Sequence, residues 1–359
     1  MKYTIHDKPL YDYESICFLK AIINNRSIKD EINNVLERRG NRFKSIVSKF
    51  FSKTLALEKY IRKNIIFDLP GYETTGKEMA EFLFKERGDE QLSFADAIFH
   101  NNYVAQYGLA NKEMAILATI DEDLLEEHYG DNLVNVKMDT KEFFTFVEEL
   151  AISDEDKLAT IRLYLKFEMY HQYATELLDQ AKQLITHKLP DFDKEMTTIT
   201  NYLSTELETK GLTFLLDNFN ITLDDRHIYQ IYPGLYLQNG LSFRGTGCTD
   251  LLIIIGMHIF DFIKIFDELG SNTEKAEMFL KCLSDSTKLN ILKLLKDGPM
   301  YGSQLAEKLN CTSANISHHM SSLLSLDIVF VRKENNRAYL HLNNEVICQY
   351  LDDAKGLFL

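Results

Sequence analysis

The chain has no tryptophan, only 5 prolines and 16 glycines among its 359 residues, and no C-x-x-C pair. So little proline and glycine leaves scant material for long linkers. The five cysteines (Cys17, Cys248, Cys282, Cys311, Cys348) are scattered and odd in number. That pattern excludes a disulfide framework and fits a reducing, cytoplasmic setting. Long apolar runs are missing as well. The most apolar stretch, LLIIIGMHIFDFIKIF (251–266), is interrupted by His258, Asp261 and Lys264 and falls short of the ~20 residues a spanning helix needs. It reads as a buried core segment, and no membrane partner is expected. The opening MKYTIHDKPLYDYESICF has no basic region followed by an apolar run, so no secretion is implied.

An excess of positive charge is also absent. Lysine and arginine number 40 against 54 acids, a formal net charge of −14. Taken alone, this argues against nucleic acid, because phosphate binding needs local positive charge. The acidity is unevenly placed, however. Residues 273–345 carry nine bases against eight acids, so nearly all the negative excess lies upstream.

What remains is an ordinary globular composition, 45% hydrophobic and 26% charged, with 23 Phe and 18 Tyr supplying the aromatic bulk. The length suggests two or three domains. Over the first 210 residues, apolar residues at helical spacing predict helices at 14–24, 27–39, 41–65, 76–87, 93–107, 111–118, 121–129, 139–150, 154–187 and 191–210. Ser27 and Asp154 are the expected N-caps. Ile161, Leu165, Glu168, Met169 and Gln172 trace one side of the long helix. From about 211 to 272 the pattern changes to β-branched and aromatic runs separated by Pro233–Gly234, Asn239–Gly240 and Gly245–Thr246–Gly247. Short strands are expected there, with Asn239–Gly240 turning a hairpin, before a helix over 257–270. The expected class is α+β, mainly α with small β elements: a helical region 1–210, a small sheet region 211–272 and a C-terminal piece 273–359.

Signatures of catalysis and metal binding are wanting. FRGTGCTD, with Arg244, Cys248 and Asp250, lacks the G-x-x-x-x-G-K-[ST] of a phosphate cradle, and G-x-S-x-G is absent too. It reads as a strand-connecting turn. His227 beside Asp224–Asp225–Arg226 reads as a charged loop. His171 and His187 have no second ligand at i+4. The adjacent His318 and His319 point about 100° apart on a helix and cannot share one metal. No enzyme activity, cofactor or metal site is expected.

The last 85 residues are the most readable. AEMFLKCLSD is followed by STKLNILKLLKDG, a short helix SQLAEKLN, a turn at Asn310–Cys311, and a helix SANISHHMSSLLSLD capped by Thr312. Two strands then flank Glu334–Asn335–Asn336. This is the plan of a winged helix-turn-helix. Ile316, His319, Met320, Leu323 and Leu324 share one side of the helix over 313–325 and should pack inward. Ser313, Asn315, Ser317, His318 and Ser321 are left on the other, short and polar, as on a helix that faces base edges. His318 is expected to read a base or touch a phosphate, with an exposed surface histidine as the alternative; His319 is expected to pack. Arg332, Lys333 and Arg337 flank the hairpin turn, where a wing reaches phosphates or a minor groove.

The run FLKCLSDSTKLNILKLLKDGPMYGSQLAEKLNCTSANISHHMSSLLSLDIVFVRKENNRAYLHL closely resembles the ArsR-type bacterial repressors. The matching residues are Asp285, Thr287 and Lys288; Leu305 and Ala306; Thr312 with Ile316 to Met320; and Asn336 to Tyr339. The resemblance implies a DNA-binding homodimer that represses and releases DNA when an effector binds. Thr312, Ser313, Asn315, Ser317, His318, Ser321, Arg332, Lys333 and Arg337 are the expected DNA-contacting residues. Metal sensing does not carry over. Tyr301–Gly302–Ser303 stands where one site of the family has Cys-x-Cys, and NEVICQYLDDAKGLF has no histidine for another. The segment HIYQIYPGLYLQNGLSFRGTGCTDLLIII resembles the region upstream of the winged domain in long ArsR-like regulators of Gram-positive bacteria. A sensory or dimer-stabilising region with an aromatic-lined effector pocket is therefore expected. The alternative is a protein-interaction module that keeps the winged fold without reading DNA.

Overall fold

The computed structural model describes residues 2–39, 43–72, 74–86, 93–105, 111–118, 138–150, 152–219, 227–245, 250–269, 272–334 and 337–356. The expected helix at 121–129 lies outside them. The chain forms two compact units, one of residues 1–36, 41–204 and 225–259, the other of 37–40, 205–224 and 260–359. The fold is α+β, with helices predominating and, among the described residues, two small sheets.

The first unit opens with β1 (Lys2–Ile5), then α1 (Tyr11–Ile23), α2 (Ile28–Arg39), α3 (Lys44–Asn64), α4 (Gly76–Phe84), α5 (Phe94–Ala105) and α6 (Lys112–Ala118). These are followed by α7 (Thr140–Glu149), α8 (Asp154–Leu165), α9 (Phe167–Lys188) and α10 (Asp193–Lys210). Ser27 Oγ accepts from the Lys29 amide at the start of α2, as expected. At α8 the cap is Ser153, which accepts from the Asp156 amide, and Asp154 is the first helical residue instead.

The single long helix expected over 154–187 is two helices, because Lys166 leaves the helical region at φ −116°, ψ 26°. The break resets the buried face. Leu163 and Tyr164 are buried before it, and Phe167, Tyr170, Tyr173, Leu177 and Ile185 after it. Of the stripe traced from the sequence, Ile161 and Met169 are half-buried while Leu165, at 68%, Glu168 and Gln172 are exposed. In place of tryptophan, stacked rings fill this core. Phe82 lies on Tyr170 at 4.5 Å and Tyr72 meets Tyr173 edge-on at 5.2 Å, geometries worth about 1 kcal/mol each beyond their buried area.

Three further strands complete the unit: β2 (Ile228–Gly234), β3 (Leu241–Gly245) and β4 (Asp250–Gly256), in the order β1-β2-β4-β3. β1 pairs with β2 and β2 with β4 in parallel, while β3 and β4 are antiparallel. The expected hairpin at Asn239–Gly240 is not formed, since β2 and β3 are not neighbours. The run LLIII explains this. Leu252 to Ile255 are all essentially buried, so β4 takes the interior position that a continuous apolar strand requires. The chain from 235 to 240 folds over its end, with Gly240 O accepting from the Gly256 amide and Gln238 O from the His258 amide. A side chain at Gly256 would strike this loop at 2.3 Å from Leu237 O.

One acidic side chain fastens that loop from below. Glu14 of α1 is fully buried, and its two carboxylate oxygens accept from the amides of Leu235 (2.9 Å) and Tyr236 (2.8 Å). Burial pushes its carboxyl up to about 7, although both amides pull the other way.

The second unit includes α11 (Thr213–Phe219) and α12 (Ile259–Leu269), whose Phe214 and Phe260 rings meet at 5.4 Å. α13 (Asn272–Leu283) follows; the expected boundary residues Gly270 and Ser271 lie outside the described residues. Then come α14 (Ser286–Asp297), α15 (Gly302–Leu309), α16 (Ser313–Ser325), the hairpin β5 (Val329–Glu334) and β6 (Arg337–Leu342), and α17 (Asn344–Lys355). Their core gathers Phe279, Ile291, Leu305, Ile316, Leu323, Ile328 and Leu340. This is helix, helix, turn, helix and wing, in the order read from the sequence. Met300 adds a bridge to Leu340, so the wing has a third partner.

Candidate nucleic-acid interface

α15 and α16 are joined through Asn310, which sits at φ 50° in the left-handed region. Asparagine is one of the few side chains that adopt it at low cost. Thr312 then caps α16, its hydroxyl accepting from the Asn315 amide at 3.2 Å. The hydroxyl proton stays available to a phosphate oxygen. Replacing Thr312 with alanine is expected to lower the stability of the winged unit by about 1 kcal/mol, read as a shift in the urea midpoint of the transition that reports it.

The two sides of α16 divide as their chemistry demands. Ile316, Met320 and Leu323 are buried. Leu324 and His319 are half-buried, and Asn315 and Ser317 are exposed. Ser321 is half-buried rather than fully outward. The side chains of Ser313 and His318 are not among those described, nor are those of Lys333 and Arg337 on the wing. Arg332 is exposed on β5, and the register sets it opposite Tyr339 of β6. The Tyr339 ring meets Tyr301, at the start of α15, edge-on at 5.8 Å. Of the nine expected contact residues, Thr312, Asn315 and Ser317 thus share the first turns of one helix, with Arg332 on the wing.

Sequence reasoning gave no role to Asp285, which sits under this helix. Its carboxylate caps α14, accepting from the amides of Thr287 (2.9 Å) and Lys288 (3.1 Å). Its second oxygen is 3.4 Å from Nδ1 of His319 and 3.9 Å from Nζ of Lys288. Burial acts to raise the Asp285 carboxyl. The Lys288 amide, the charges of His319 and Lys288, and the Thr287 amide outweigh it and hold the group below its ordinary value. The aspartate is legible as an N-cap before STKLNIL; its reach to residue 319 leaves no periodic trace. Among the described residues, no cluster of three or more His, Cys, Asp or Glu could hold a metal ion. No described helix is long and apolar enough to cross a membrane.

Residues 285–330 match the family described as bacterial regulatory protein, arsR family. The arsenical resistance operon repressor of Staphylococcus aureus is 38% identical over 68 residues, 19% of this chain and 65% of that protein. Its Staphylococcus xylosus counterpart is similar to the same extent. The transcriptional repressor SdpR of Bacillus subtilis (strain 168) is 34% identical over 67 residues, 19% of this chain and 74% of SdpR. The chain thus spans just under two-thirds of the staphylococcal repressors, and about four-fifths of its own length has no counterpart in these matches. Through its C-terminal winged helix-turn-helix, the chain belongs to the ArsR family of bacterial regulatory proteins.

Proposed function

We propose that this chain is a homodimeric, DNA-binding transcriptional regulator that acts as a repressor, with residues 273–359 reading DNA. The region 1–210 and the sheet segment 211–272 mediate dimerisation or respond to an effector or partner. The observation that carries this reading is the two-sided α16. Short polar Asn315 and Ser317 are presented over a buried Ile316–Met320–Leu323 row, beside a wing that carries Arg332. Asparagine pairs naturally with an adenine edge in the major groove. The three relatives named above are repressors, which favours repression over activation. Two reading heads in a dimer call for a pseudo-palindromic site with half-sites spaced by whole turns of the duplex.

For the effector, the first unit offers a recess of about 460 Å³ lined by Asn101, Asn111, Lys112, Glu113, Met138, Phe167 and Glu168. It is an open, shallow depression, and its lining mixes polar and charged side chains with Met138 and Phe167 rather than being the aromatic one expected.

A selection of binding sequences from random duplexes, run on the wild type and on Asn315→Ala, tests the reading. A defined motif is expected for the wild type. The variant should lose discrimination at one or two positions by about 1–3 kcal/mol, with the salt dependence of binding unchanged. Identical unselected pools from both proteins would favour the second reading, a winged module that contacts protein. The net charge of −14 and a helix α16 without a lysine or arginine speak for that second reading.

A further inference from the structure

α16 is tied to the rest of its unit by a polar contact as well as by its apolar row. His319 lies on the flank between buried Ile316, Met320 and Leu323 and exposed Asn315 and Ser317, its side chain only 15% exposed. Its Nδ1 is out of contact with solvent and faces Asp285 Oδ2 at 3.4 Å. That carboxylate cannot swing freely, because its other oxygen is held by the first-turn amides of α14. A group fixed by one helix thus reaches a side chain of the next helix but one.

We infer that His319 is a positioning residue of the reading surface, whose pair with Asp285 fixes the rotation of α16 about its axis and so sets which bases Asn315 and Ser317 reach. The inference rests on the DNA-binding reading above. A roll of only about 20° moves a side-chain tip by about 2 Å at the helix surface, enough to lose a base-edge hydrogen bond. The His319–Asp285 pair is a charge contact by distance, and a roll of that size would break it while the apolar row, being non-directional, could adjust. Asp285 is held below the ordinary carboxylate value, and Lys288 stands beside the same oxygen at 3.9 Å.

Asp285→Asn separates pairing from capping, because asparagine caps as well as aspartate; a circular dichroism melt confirms that the unit still folds. His319→Gln keeps a polar side chain and removes the imidazole. The quantity to read is the ratio of affinities for DNA from the protein's own promoter and for scrambled DNA, by fluorescence anisotropy of the full chain. Each single variant is expected to lower this ratio by about tenfold with the affinity for scrambled DNA unchanged, and the double variant no further than the worse single. A loss of affinity for both duplexes alike, or unchanged ratios in a wild type that does discriminate, overturns the inference alone. A wild type without preference overturns the DNA-binding reading and the inference with it.

Discussion

Arg332→Glu combined with Arg337→Glu is expected to weaken binding to promoter and scrambled DNA alike, by about ten- to a hundredfold near 100 mM salt, and to reduce the salt slope by about two. The reason lies in the charge balance. With nine bases and eight acids between 273 and 345, the winged piece has almost no net field, and α16 supplies no lysine or arginine. Attraction to phosphate must then come from a few local bases, and the hairpin concentrates three of them. Register pairs Arg337 with Glu334 and Arg332 with Tyr339, so both arginines belong to the strands flanking the turn. Reversing two charges there removes two phosphate partners and adds two repulsions, with no base-reading group touched. The measurement is anisotropy against both duplexes at three salt concentrations. A loss confined to promoter DNA would assign the wing to base reading rather than to backbone contact.

The second large effect lies in the first unit. Glu14 binds its proton more tightly folded than unfolded, because burial lifts its carboxyl from the ordinary range to about 7. Its contribution to stability is therefore complete below about pH 4.5 and is lost as pH rises toward 7, after which it changes no further. The loss is about 3 kcal/mol, since a tenfold change in proton affinity between the unfolded and folded chain corresponds to about 1.4 kcal/mol. Urea unfolding followed by circular dichroism at pH 5 and pH 8 measures it. Glu14→Gln, which cannot ionise, is expected to flatten the difference between the two pH values, and comparison with the wild type removes the part due to other groups. Glu14→Ala leaves the buried Leu235 amide and the part-buried Tyr236 amide without their acceptor, at about 1–3 kcal/mol for the buried one, and should destabilise at both pH values. An equal pH slope in the wild type and Glu14→Gln would mean that the carboxyl titrates as it does in water.

The winged unit was nearly all legible because its contacts are local. Helical spacing alone separates Ile316, Met320 and Leu323 from Asn315 and Ser317, and Thr312 announces the helix it caps. The first unit hides what is distant. β1 pairs with β2 across more than 220 residues, seen again in His6 Nε2 meeting Gln230 Oε1 at 2.9 Å. No pattern within KYTI announces that partner. Asn239–Gly240 carries a strong hairpin signal, yet the need to bury LLIII on both faces gave β4 both neighbouring places and reduced the turn to a loop over its end. The break at Lys166 misled in another way, since a face counted through a kink in the helix mixes two periodicities. On the candidate interface, the polar side of α16 was read from spacing. The Asp285–His319 pair was not, because only the folded unit brings those positions together.

Whether the winged unit reads DNA is decided by a fluorescence-anisotropy titration of the full chain with DNA from its own promoter and with scrambled DNA, each at two salt concentrations. Tighter binding to the promoter is expected and, for both duplexes, affinity that falls steeply as salt rises. Equal affinity for the two duplexes with little response to salt would contradict the DNA-binding reading and leave the winged unit as a surface for protein.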